Sequence, residues 1–504
     1  MKRFRGSRLG RFFPLLAAAL LAACATVRNP VTGEYELTVM DEQAEIAEGR
    51  KQHQEVLQDY PAVPDAALQA YVNGIGQKLA KASPRANLDW HFTVVDSTEV
   101  NAFALPGGYV YVTRGILAYL DNEAELAGVV GHEIGHVTAR HASQRATREQ
   151  VAGVGVLIAN VLGSVLESKG YGGVGNVTDQ VSQMAAAGYI AAYSRDQELQ
   201  ADRLGAEYLA RNNYDSARMI DVIRMLKNQE VFAADMARKA GRPAPQGGSW
   251  LASHPSSDQR LADIRATALI LQNPQAEVGH ERYLRAIKNT VFGDSEDQGV
   301  VRGQAFFHVP LGFTLSAPRG WRLQNSAREL AIVNGAGDAA LVMRTVPEKA
   351  GKTHAEIIRA LFNPLSGRTT QATINGFPAT YFVGTARVQS GGSIGTQSVD
   401  ATLITGPRQR NYLFLHLAKN AEILKRERDN MLGAEKTFRA LTEQDKALAR
   451  PWRLKIVPLP AGGFAQLAKQ APAQLPDAEA QLRLLNGVYP TGDLKPGTLV
   501  KTVE

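Results

Sequence analysis

A chain of 504 residues exceeds one ordinary domain and predicts two to four. With 44% apolar and 21% charged residues it is globular, neither disordered nor a polytopic membrane protein. The formal charge of +7 invites nucleic acid as a partner, but the five basic residues of 1–23 (Lys2, Arg3, Arg5, Arg8, Arg11) account for most of it and leave +2. No nucleic-acid partner is expected.

Basic residues, the apolar run FFPLLAAALLAA and then Cys24 have the pattern of a cleaved signal peptide. Its end, Leu21-Ala22-Ala23-Cys24, resembles a bacterial lipobox, which implies lipidation at Cys24 and a lipid-anchored periplasmic protein. Ala25 rather than Asp follows the cysteine, which favours the outer membrane. Cys24 is the only cysteine, so neither an intrachain disulfide nor a thiolate metal site can form, and a metal must be held by His and carboxylate.

After a tether at 24–40, residues 41–82 read as helical, with Asp41 as N-cap. WHFTVV (90–95) and YVYVT (109–113) read as strands joined through NAFALPGG. Asn122, with Glu125 three residues on, starts another helix. The uncharged run 151–166 is too short to span a membrane and is expected as a buried helix, followed by a glycine-rich loop. A further helical pattern covers 184–211. Beyond a linker near 293–304 the texture becomes strand-like, giving an α+β domain at 305–442 with no catalytic cluster. A small C-terminal segment occupies 446–504.

The stretch VGHEIGHVTARH (130–141) holds the chemistry. On a helix His132 and His136 share one face and can reach one ion, while Glu133, about 100° around, lies beside it and can take a proton from water. The longer pattern with a third histidine requires Gly at 139 and His at 142, and both positions are alanine. His141 misses by one residue and is expected as a surface histidine on a helix that continues. A third ligand must come from elsewhere. In SRDQELQADRLG (194–205), Glu198 and Asp202 stand one turn apart, so one could bind metal while the other orients a ligand histidine. Spacing alone leaves an amphipathic helix with solvated acids equally open.

NAFALPGGYVYVTRGIL, GHEIGH, SRDQELQADRLG and SHPSSDQRL, in this order, resemble the HtpX- and BepA-like zinc metallopeptidases over residues 30–270. The resemblance implies a mainly helical gluzincin domain with a small β-sheet at 41–292, binding one Zn²⁺ per chain through His132, His136 and Glu198. It places Glu133 as general base and Asp202 behind a ligand, with endoproteolysis as the reaction. His254 is then either a switch that occupies the fourth zinc position or a donor to the transition-state oxyanion. A loop histidine without function is the third reading. Arg260 orients the site or pairs with an acid, the latter being favoured. Asn101–Tyr111 is either an edge strand bordering the cleft or a core hairpin. Residues 446–504 weakly resemble a LysM module, which makes peptidoglycan a candidate partner. The expected role is cleavage of misfolded or stalled envelope proteins; the alternative is an assembly scaffold with a latent zinc site.

Overall fold

The computed structural model describes residues 25–150, 193–239, 241, 254, 258–390 and 393–504. Residues 1–24 with Cys24, the run 151–166 and the glycine-rich stretch after it lie outside these residues.

A hairpin of β1 (Ala25–Arg28) and β2 (Tyr35–Thr38) precedes α1 (Glu42–Asp59) and α2 (Ala66–Lys81). The helical stretch expected over 41–82 consists of two helices. Pro61 and Pro64 lie in the break, where each removes a backbone donor and disfavours a helical residue before it. Asp41 caps α1 by accepting from the Ala44 amide at 2.8 Å, and Asp65 caps α2 from Leu68 at 3.0 Å.

Strands β3 (His91–Val95), β4 (Ala102–Leu105) and β5 (Tyr109–Thr113) form a sheet in the order β3-β5-β4, with β3 parallel and β4 antiparallel to β5. Part of NAFALPGG is thus itself a strand, and it lies at the sheet's edge. The turn after it, Pro106-Gly107-Gly108, is seated on α1: a Cβ on Gly49 would come within 1.9 Å of the Pro106 carbonyl. Residues on alternate sides of β5 enter different clusters, Tyr109 and Tyr111 with Val56 of α1, Val110 and Val112 with the helices opposite.

Next come α3 (Arg114–Tyr119), α4 (Glu123–Thr138), α5 (Arg195–Arg211), α6 (Arg218–Lys239), α7 (Asp258–Ile270) and α8 (His280–Ile287). Every residue of α4 is buried. Its approach to α5 is set by small residues: a Cβ on Gly135 would stand 3.0 Å from the Ala201 carbonyl oxygen, and one on Gly205 would stand 3.0 Å from the His132 amide. Helix backbones that touch this closely bring side chains one turn apart on each helix into register.

Two further regions complete the chain. Between Val300 and Ala440, a four-stranded sheet and a seven-stranded antiparallel sheet carry their own apolar cores. The seven strands run in the order Arg322–Asn325, Leu330–Val333, Ala339–Thr345, Asn411–Ala418, Ser393–Thr405, Phe377–Ser390, Pro364–Ile374. The C-terminal segment folds as strand Trp452–Pro458, helices Gly463–Ala468 and Ala478–Leu485, and strand Leu499–Val503. Its Leu454, Phe464, Leu482 and Val503 belong to the same core as Leu126 and Val130 of α4. Its Lys501 is fully buried, 2.9 Å from the Asp121 carboxylate and donating to the Leu120 carbonyl at 2.7 Å, just before α4 begins.

Candidate metal centre

The N-terminus of α4 is fixed by Asn122, which accepts from the Glu125 amide at 2.9 Å. Glu125 in return accepts from the Asp121 amide at 2.7 Å and the Asn122 side-chain amide at 2.7 Å. Burial and the Asp121 charge raise the Glu125 carboxyl to about 8. Ser194 and Gln197 form a reciprocal capping box at the start of α5.

Two turns into α4, His132 and His136 present their Nε2 atoms 2.9 Å apart. From α5, Glu198 brings its oxygens 3.6 Å from His132 Nε2 and 3.5 Å from His136 Nε2. His254, ahead of α7, adds Nδ1 at 3.2 Å from His132 Nε2 and 2.9 Å from Glu198 Oε1. One donor atom from each of these four buried residues lies within 4.8 Å of the others. The Glu133 carboxylate stands beside the group, 3.6 Å from His254 Nε2.

Asp202, one turn after Glu198, takes His132 Nδ1 at 2.9 Å. Arg260 of α7 donates to both Asp202 oxygens at 2.7 and 2.8 Å, and its Nη1 lies 2.9 Å from Glu198 Oε2. The same Nη1 donates to the His254 carbonyl at 2.9 Å, tying α7 to the residue that enters the site. Arg260 therefore does pair with acids, and these are the site's own. Burial opposes ionisation of Asp202, but the hydrogen bonds from His132 and Arg260 outweigh it and hold the carboxyl at about 2. Glu198 is likewise lowered, against burial, by His254. Burial and the neighbouring imidazoles keep His136 well below its usual value. For His254, burial is outweighed by Glu198 and Glu133, which raise it.

The placement of protons tests whether this group suits a metal. With Asp202 accepting from His132 Nδ1–H, the Nε2 of that ring is an acceptor. It faces His136 Nε2, whose own Nδ1 is engaged elsewhere, and the carboxylate of Glu198. Acceptors that converge on one point in this way can hold a cation between them. Two imidazoles and a carboxylate, with a fourth donor in reach and no thiolate, form a donor set suited to a divalent transition metal.

Two expectations change. His141 is not on the surface: it is completely buried, with Nδ1 2.8 Å from His136 Nδ1 and Nε2 2.9 Å from Gln200 Oε1. The helix does not continue past 138 either. Arg140 takes a left-handed backbone, φ 59°, and turns the chain without a glycine, so His141 folds back behind His136. Tyr193 was not singled out by sequence; its ring stacks on His136 at 3.9 Å between centroids. Strand β4 packs along α4 at the edge of its sheet, with all four of its residues buried.

A helix pair presenting His-Glu-x-x-His from one member and Glu-x-x-x-Asp from the other defines the class, a metallopeptidase domain. Residues 66–268 match the family model described as peptidase family M48. The beta-barrel assembly-enhancing protease of Yersinia pestis is 32% identical over 226 residues, 45% of this chain and 44% of that one. The protein of the same name from Escherichia coli K12 is 30% identical over 231 residues, 44% of each. The mitochondrial metalloendopeptidase OMA1 of Arabidopsis thaliana is 30% identical over 182 residues, 36% of this chain and 32% of that one. The chain thus spans less than half the length of these curated relatives. Among solved structures, cyanobacterial PsbP from Synechocystis sp. PCC 6803 shares 12% identity at a TM-score of 0.19, covering 30% of this chain and 98% of that one, which carries no argument.

Proposed function

We propose that the protein is a zinc metalloendopeptidase of the bacterial envelope, with one Zn²⁺ held by His132, His136 and Glu198. The observation that carries this is the convergence of those three donors, with Glu133 beside them, inside a family M48 domain. Zinc bound there supplies Lewis acidity toward water and the scissile carbonyl. Glu133 takes the proton of the attacking water and delivers it to the leaving amine. Asp202 keeps the proton of His132 on Nδ1, and Arg260 holds Asp202 in place. β4, the edge strand of its sheet, accepts the substrate as an added extended strand, so backbone pairing rather than side-chain identity selects it.

Such recognition favours unfolded chain, and two relatives are named as proteases that enhance β-barrel assembly. The substrates are accordingly misfolded or stalled envelope proteins. Cys24 supplies a lipid anchor to the outer membrane, and residues 446–504 are the candidate contact with peptidoglycan. Among the described residues no helix is long and apolar enough to cross a membrane.

A second reading has its own observation. His254 Nδ1 stands among the ligands and its Nε2 faces Glu133, so this histidine covers metal position and base together. In that arrangement the protein would act as an assembly scaffold with a latent zinc site. Zinc content and casein cleavage of the parent and Glu133→Gln test the enzyme reading. One zinc in each protein, with cleavage by the parent alone, supports it; equal cleavage by both overturns the mechanism.

A further inference from the structure

The two histidines of α4 are held from behind in different ways, and the second way has a direction. We infer that His141 and Gln200 are positioning residues for the metal: a neutral relay that fixes the tautomer and orientation of His136. This inference rests on the metal site proposed above.

The relay follows from which atoms can donate. Gln200 Oε1 can only accept, so at 2.9 Å the proton between it and His141 sits on His141 Nε2. A neutral imidazole protonated at Nε2 has a lone pair at Nδ1. That lone pair faces His136 Nδ1 at 2.8 Å, so His136 carries its proton on Nδ1 and donates it. The Nε2 of His136 is left as a lone pair pointing at Glu198 and His132. Each link determines the next, and the chain ends where a metal would bind.

The fold uses several contacts to place His141. The left-handed turn at Arg140 is held by its guanidinium donating to the Met40 carbonyl at 2.7 Å and lying 3.2 Å from Glu45. The Ala139 carbonyl just before it accepts from Asn29 and Gln144 side chains, each at 3.2 Å. The β1–β2 hairpin and the start of α1 thus pin the turn at 139–140, after which His141 opens a new helical stretch. His132, by contrast, leans on the carboxylate of Asp202. One ligand has an anionic partner and the other a neutral one, which limits the negative charge collected around the ion.

The test is zinc affinity by chelator competition, with the absorption spectrum of the Co²⁺-substituted protein and the melting temperature of each metal-free form. His141→Ala should weaken zinc 10- to 100-fold and alter the Co²⁺ spectrum, with metal-free melting close to the parent's. His141→Gln, which keeps an acceptor facing His136, should restore affinity to within about threefold. Gln200→Leu should fall between them. Parent-like zinc affinity and Co²⁺ spectrum in His141→Ala would overturn the relay while leaving the metal site standing. Equal losses in the alanine and glutamine variants would also overturn it, showing that only packing was disturbed. Absence of zinc from the parent itself overturns the metal site and the relay together.

Discussion

Among the described residues, two buried clusters of histidine and carboxylate are built on opposite principles. In the sheet region, His416 has both ring nitrogens engaged: Nδ1 lies 2.8 Å from Asp400 and Nε2 2.7 Å from Glu435. Arg428 and Thr402 occupy the outer oxygens of those acids, at 2.9 and 3.0 Å. Burial opposes charge on His416, but the two carboxylates overcome it and lift it to about 9, so the ring is a cation clamped between anions. Nothing converges on an open point. In the helical domain His132 and His136 each use one nitrogen for support and turn the other toward a shared centre. A polar cluster closed on its own partners holds a fold together, whereas donors that converge on one centre are suited to hold an ion.

Each cluster can be perturbed without touching the other. Glu133→Gln, nearly isosteric, should lower cleavage by about 10² to 10⁴-fold with melting almost unchanged. A large fall in melting temperature would show Glu133 to be structural. His416→Leu should do the reverse, leaving two buried carboxylates without their cation and costing about 3–5 kcal/mol by denaturant unfolding, with zinc content intact. The same cluster should respond to pH. Its folded value of about 9 lies above the ordinary 6.5, so its stabilisation is complete below pH 6.5 and is lost as pH rises toward 9. The swing is on the order of 3 kcal/mol at most, and it should vanish from the pH profile of His416→Leu. Lys501→Met removes another closed pair, with Asp121 ahead of α4, and should cost about 2 kcal/mol. A drop in cleavage that follows this loss of stability would tie the C-terminal segment to the peptidase core; an unchanged unfolding curve would separate them.

Sequence periodicity and spacing carried much of this site. An i,i+4 pair on a helix has one geometry, so His132 with His136 and Glu198 with Asp202 are legible as shared faces from spacing alone. Their pairing across helices was legible only through family resemblance, although the small residues at 131, 135, 201 and 205 form a stripe that signals close helix contact. His141 was misread because a non-glycine residue, Arg140, supplies the left-handed turn, and its support comes from residues about 100 positions earlier. In the sheet region apolar strands such as Leu330–Val333 and Asn411–Ala418 give the sequence its strand-like texture, while Pro364–Ile374, largely exposed and polar, offers no apolar alternation to read. The C-terminal segment looked separate because composition marks linkers but not docking; its shared core with α4 is a tertiary fact.

Whether a competent metallopeptidase site lies under His254 decides between an active protease and a latent one. The direct measurement is the initial rate of casein cleavage by zinc-loaded His254→Ala beside the parent and beside His254→Ala/Glu133→Gln. A rise of about tenfold or more in the single variant, abolished in the double, is the expected result, because removing the cover makes the competent state the dominant one. A single variant that holds one zinc and cleaves no faster than the parent would contradict it.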